Sequence, residues 1–148
     1  ELNLDIELSE SVYFFSRFGL LQTDINNWKS RPDLEGRAQA HAPKKSFALG
    51  INWSITDRAS LSIDLVGKSS FYYSDSHDNQ SSSYSLTNIN YDYSIGRWTY
   101  SIWARNVFDE YYSVRGFYFG NEAPDFQDTL YERHGDPRHL GFTARYDF

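Results

Sequence analysis

Side chains able to do covalent or metal chemistry are few and scattered. The chain carries four histidines, His41, His77, His134 and His139, and no cysteine, so thiol catalysis, disulfides and thiolate metal sites are all excluded. Asp75-Ser76-His77-Asp78 contains ligand-type residues, as does the group His134, Asp136 and His139. Both lie in polar stretches with no neighbouring residues suited to orient a ligating imidazole, and both read as solvated loop. Carboxylates are spread along the chain without a paired arrangement, so no catalytic residue, metal site or cofactor is assigned. A formal net charge of -6 leaves no basic face for nucleic acid.

The chemistry that remains is non-covalent capture. Tyr72, Tyr73 and His77 cluster near one polar segment, and Arg115, Phe117, Tyr118 and Phe119 near another. Arginine with aromatic rings suits an anionic, ring-bearing ligand, through charge-assisted hydrogen bonds and stacking. Each ring taken singly has a competing place at the headgroup level of a membrane.

The composition bears on that competition. Twelve Tyr, eleven Phe and four Trp make 18% of a chain whose mean hydropathy is -0.63. No apolar run approaches the roughly 18 residues of a membrane helix, the longest being of the kind Val12 to Phe15. A membrane β-strand gives only every second residue to lipid, so low mean hydropathy is compatible with one.

Period-2 alternation runs almost throughout and makes the chain all-β. Seven strands are expected. The first spans Leu2 to Leu8, with Leu2, Leu4, Ile6 and Leu8 against Asn3, Asp5 and Glu7. The second runs from Val12 to about Ile25, with apolar residues on both faces and its orientation open. The third alternates through Phe47, Leu49, Ile51, Trp53 and Ile55, and the fourth through Leu61, Ile63 and Leu65 towards Tyr73. The fifth covers Tyr84 to Tyr93, the sixth begins at Trp98, and the last carries Leu140, Phe142, Ala144, Tyr146 and Phe148 on one side. A long loop is expected from about Gly116 to Pro137.

Connections alternate short and long: Ser9 to Ser11, Asn26 to Pro43, Thr56 to Ala59, Ser74 to Ser83, Ile95 to Arg97, Gly116 to Pro137. Up-and-down membrane barrels have short periplasmic turns and longer outer loops, which places the C-terminus at the periplasmic rim. Trp53 and Trp98, beside short turns, join Tyr146 and Phe148 as an expected girdle at that rim. Asp5, Glu7, Asp64, Lys68, Arg105 and Arg145 are expected to face a wet lumen. Seven strands leave two open edges, and unpaired backbone groups in hydrocarbon cost several kcal/mol each, so further strands must complete the structure. Glu1 already lies inside the alternation, and the chain is expected to begin within a longer polypeptide.

Three segments resemble the C-terminal barrel of TonB-dependent outer-membrane receptors. These are Gly36-Arg37-Ala38-Gln39-Ala40-His41-Ala42-Pro43 leading to Ser46-Phe47-Ala48-Leu49-Gly50, then Trp103-Ala104-Arg105-Asn106-Val107-Phe108-Asp109-Glu110-Tyr111-Tyr112, with Val107 where Leu is usual, and Gly135-Asp136-Pro137-Arg138 leading to Gly141 and Phe148. The last strand also resembles the assembly signal of such barrels, with Phe142, Tyr146 and Phe148 as its marks and Ala144 smaller than is common. The resemblance implies an antiparallel barrel segment, residues 1–148 being the C-terminal portion, in the outer membrane of a Gram-negative bacterium. It implies energised uptake of a scarce ligand such as a ferric siderophore, another metal chelate or a vitamin. Its implied partners are outer-membrane lipid, the remaining strands and plug, TonB through an N-terminal part not in this chain, and the barrel-assembly machinery. A passive porin-like barrel and a soluble carbohydrate-binding β-sandwich are the competing readings.

Overall fold

A computed structural model describes residues 1–148 and contains nine strands and one short 3-10 turn, Pro32–Leu34. The strands are β1 (Leu2–Ser9), β2 (Val12–Leu20), β3 (Lys45–Thr56), β4 (Ala59–Lys68), β5 (Tyr84–Ile95), β6 (Trp98–Arg105), β7 (Ser113–Phe119), β8 (Thr129–His134) and β9 (His139–Tyr146). Seven of them form one antiparallel sheet in the order β1-β2-β3-β4-β5-β6-β9, and β7 and β8 form a separate hairpin inserted between β6 and β9. The sheet is open, with β1 and β9 at its edges.

Register fixes the two faces, because residues directly opposite in an antiparallel ladder share a side. Ile6, Phe14, Ile51, Ile63, Ile89, Ala104 and Leu140 form one continuous row across all seven strands. Val12, Trp53, Leu61, Tyr91, Ile102 and Phe142 form the next. On the opposite face the corresponding row reads Glu7, Tyr13, Asn52, Ser62, Asn90, Trp103 and Gly141. The whole sheet therefore has one apolar and one polar face.

Nothing covers the apolar face. Only 11 of 148 residues are buried, while Ile102 and Phe142 are each 63% exposed. A soluble sandwich would bury these residues under a second sheet; here the hairpin strands lie against none of the seven. The polar face is laced by cross-strand bonds: Asn88 donates to Asp64 at 2.7 Å, Ser101 to Asp92, and Arg17 pairs with Asp5 at 2.6 Å. Of the polar residues expected to face the lumen, Arg105 lies 4.0 Å from Asp64, and Arg145 pairs with Asp147 at 3.4 Å.

The second strand's orientation is settled by its partners. Val12, Phe14 and Phe18 point to the apolar side, and Tyr13 and Phe15 to the polar side. Those two rings are accommodated there by local chemistry: Phe15 lies over Gly50, where a Cβ would collide with it, and the Tyr13 hydroxyl donates to Asp5 at 2.5 Å. Trp103 covers Gly141 in the same way on the last strand. Large rings fill the space that glycines leave on a pleated surface.

All short turns lie at one end of the sheet, at residues 10–11, 57–58 and 96–97. Gly96 has φ +59, a conformation that side chains resist, and Thr56 Oγ1 accepts from the Arg58 and Ala59 amides at 3.2 and 3.1 Å. The Asp147 amide donates to the Arg97 carbonyl at 3.0 Å, which puts the C-terminal end at this rim. Trp98 and Tyr146 approach at 5.0 Å and Tyr146 and Phe148 at 5.1 Å, while Trp53 lies on the same face three strands away, on β3.

Three expectations need correction. The second strand stops at Leu20, not near Ile25: the Leu21 amide still bonds to the Lys44 carbonyl, but the chain then leaves the ladder. The fourth stops at Lys68, not Tyr73, because Phe71 and Tyr73 turn inward and are buried in the loop layer. The segment from Gly116 to Pro137 is not an irregular loop, since most of it belongs to the β7–β8 hairpin.

Candidate functional site

The three long connections, residues 21–44, 69–83 and 106–138, gather at the other end and interlock. Arg37 is the centre of the first contact: its guanidinium stacks over the Tyr72 ring at 4.3 Å, pairs with Asp78 at 2.7 Å and donates to the His77 carbonyl. Asp75 accepts the Ala40 amide at 2.6 Å, and His41 donates its amide to the Tyr72 carbonyl at 2.9 Å. The Asp75-to-Asp78 stretch thus spends its carboxylates on the neighbouring loop.

The second contact joins residues 69–83 to the hairpin. Tyr73 is buried with its ring over Gly116, at a place no Cβ could share, and its hydroxyl donates to Glu132, which also accepts from Ser113 Oγ at 3.1 Å. His77 stacks on Tyr118 with ring centres 3.6 Å apart and planes 7° from parallel. Asp128 approaches the His77 ring at 3.6 Å from the hairpin's tip.

A third knot fixes where the hairpin leaves and returns. Asn106, buried and at φ +48, donates to the Glu110 and Asp136 carbonyls at 2.9 and 3.1 Å and accepts the Glu110 amide at 2.8 Å. Asp109 accepts the Arg138 amide at 2.7 Å, and Tyr112 covers Gly135. The residues from Arg105 to Tyr112 and from Gly135 to Arg138, conspicuous in the sequence, hold this junction together.

The predicted capture residues therefore divide. Tyr72, Tyr73, His77 and Tyr118 are brought together but spent on contacts between loops. Arg115, Phe117 and Phe119 lie on the hairpin's other face, exposed, opposite Arg133, Tyr131 and Thr129. Arg133 and Tyr131 escaped the sequence reading; their alternation with Leu130 and Glu132 was the available signal. His134 stacks on Tyr111 at 4.4 Å, and His139 is the cross-strand partner of Arg105, so the group His134, Asp136 and His139 does not converge. Below the loops, on the polar face, lies a cavity of about 460 Å³ lined by Arg17, Lys68, Tyr84, Leu86, Tyr112 and Val114 among others, with the Tyr84 and Tyr112 rings 4.5 Å apart.

Burial, and then the bond to Glu132, raise the Tyr73 pKa, and burial followed by the charges of Asp78 and Glu132 raises that of Tyr118. A raised phenol pKa favours the folded loop layer at all pH values below the free tyrosine value of about 10 and is lost above it. Protease cleavage within residues 69–83 is expected to accelerate above about pH 10, and Tyr73→Phe with Tyr118→Phe to remove that acceleration. The same alkaline rise in the double variant would exclude these phenols as its cause.

By sequence, no family model matches this chain, nor does any curated protein. Among the solved structures that share its fold are the siderophore receptor PiuA from Acinetobacter baumannii (12% identity, 96% of this chain and 20% of that one, TM-score 0.79), the ferric yersiniabactin uptake receptor FyuA from Yersinia pestis (14%, 99% and 22%, 0.84) and the ferric-catecholate import receptor Fiu from Escherichia coli K12 (16%, 99% and 20%, 0.75). The fold is that of the barrel part of TonB-dependent receptors, with the sheet left open. The chain spans about a fifth of the length of the structures it matches.

Proposed function

We propose that residues 1–148 are the C-terminal portion of the β-barrel of an outer-membrane receptor that imports a scarce ligand, a ferric siderophore or related chelate, with energy delivered through TonB. The observation that carries this is the combination of an uncovered apolar face, a polar face bonded across strands, and short and long connections segregated to opposite ends. In a bilayer the first would meet lipid and the second the lumen, and only a closed barrel satisfies the edge groups of β1 and β9. The remaining strands, plug and TonB-contacting segment belong, in this reading, to the parent polypeptide. The short turns and the C-terminus face the periplasm, Trp53, Trp98, Tyr146 and Phe148 form the girdle there, and Phe142, Tyr146 and Phe148 present the assembly signal. The interlocked long loops form the outer vestibule. Nothing in this role is catalytic.

Radioiron uptake by iron-starved cells lacking the parent gene, with and without a plasmid copy, tests the proposal. Gene-dependent accumulation that stops when the proton-motive force is collapsed is expected. Gene-dependent passage of small solutes, insensitive to that collapse, would assign a passive channel and overturn it.

A further inference from the structure

The β7–β8 hairpin has two faces, and the fold uses only one. Gly116, Tyr118 and Glu132 are held against residues 69–83 through Tyr73 and His77. The free face carries Arg115 directly opposite Arg133. Both arginines are exposed, and neither guanidinium enters any ion pair or side-chain hydrogen bond of the chain. Like charges directly opposed across a ladder are destabilising, and a chain with 20 acidic residues against 14 basic ones has no shortage of carboxylates to set beside them.

The next pair along the same face explains what the opposition could serve. Phe117 and Tyr131 stack with centroids 5.7 Å apart at 21°, half of Phe117 is exposed, and the Tyr131 hydroxyl is held by Glu122 at 2.7 Å. Guanidinium forks bind paired anionic oxygens bidentately, and flat rings stack on aromatic ligands. The opposite face, docked on Tyr73 and His77, keeps this platform from swinging freely.

We infer that the free face of the hairpin is a selectivity surface for a ligand that is both multiply anionic and ring-bearing, with Arg115 and Arg133 reading its charge and Phe117 and Tyr131 its rings. This rests on the receptor reading above and narrows its ligand class. It also assigns discrimination to residues that the fold leaves unused, in place of Tyr73 and His77, which the fold consumes.

The parent receptor in detergent is titrated with three iron(III) complexes, followed by quenching of its intrinsic fluorescence: the catecholate complex, anionic with rings; the citrate complex, anionic without rings; and the benzohydroxamate complex, neutral with rings. The catecholate complex is expected to bind tightest. Arg115→Gln with Arg133→Gln should weaken both anionic complexes by about tenfold or more and leave the neutral one unchanged, while the paired lysine substitutions retain part of the affinity. Phe117→Ala with Tyr131→Ala should weaken the two ring-bearing complexes and spare citrate. If the paired glutamine variant, shown to be folded by unchanged heat resistance, binds all three complexes as the wild type does, the inference is wrong and the receptor reading stands. If the wild-type receptor binds none of them, the inference is likewise overturned, and the receptor reading is decided by the radioiron assay alone.

Discussion

Ile63→Arg is expected to destabilise the barrel in a bilayer by about 2–4 kcal/mol, whereas Ser62→Arg, one residue away, should change stability by less than about 0.5 kcal/mol. Ile63 lies between Ile51 and Ile89 near the middle of the apolar face, and Ser62 between Asn52 and Asn90 on the polar one. An arginine at the first site meets acyl chains with no partner; at the second it meets water and a field of amides and carboxylates. Urea unfolding of the parent receptor in lipid vesicles, followed by tryptophan fluorescence, measures the difference. Equal costs at the two sites would mean that the faces are not what they are taken to be.

The second large effect belongs to Asn106. Asn106→Ala removes three hydrogen bonds, leaves the Glu110 amide and two carbonyls without their partners in a buried site, and places a residue with a Cβ but no compensating bond at φ +48. The expected loss is about 3–5 kcal/mol, from unmet bonds at about 1 kcal/mol or more each together with the left-handed backbone cost. Asn106→Gly relieves the backbone but not the bonds and should fall between. Hydrogen exchange offers a local readout: the Glu110 and Arg138 amides should exchange faster in the alanine variant, while the β3 and β4 ladder, remote from the junction, should not change. Unchanged protection at Glu110 would show that the junction is held by something other than this side chain.

How much of this was legible depends on which contacts are local. The seven sheet strands follow from side-chain alternation, which pairing only has to confirm: Phe47 to Ile55 and Leu140 to Tyr146 present one apolar side whatever their neighbours are. The end points of β2 and β4 were not legible, since Leu21 and Ile25, or Phe71 and Tyr73, continue an apolar pattern that the chain spends on loop packing. The hairpin was missed because both faces of its strands carry aromatic rings, Phe117 and Phe119 on one and Tyr118 on the other, with Gly116 inside one strand and nine residues, 120–128, including Gly120 and Pro124, between the two. The candidate capture residues were found by type, but which of them the loops use on one another was not legible. No local pattern tells that Tyr73 lies over Gly116, that His77 stacks on Tyr118, or that Arg115 stands opposite Arg133, because each depends on register between segments far apart in sequence.

The most direct test of the central claim uses the absence of native cysteine in this chain. Single cysteines at positions 50 to 54 of β3 and 60 to 64 of β4 are spin-labelled in the parent receptor, reconstituted in lipid vesicles, and their collision rates with oxygen and with a water-soluble nickel chelate are measured. Oxygen accessibility should peak at Ile51, Trp53, Leu61 and Ile63, with nickel accessibility low there. Labels at those four positions that collide freely with the nickel chelate, or with neither reagent, would show the apolar face lying in water or packed against protein, and would contradict the membrane placement.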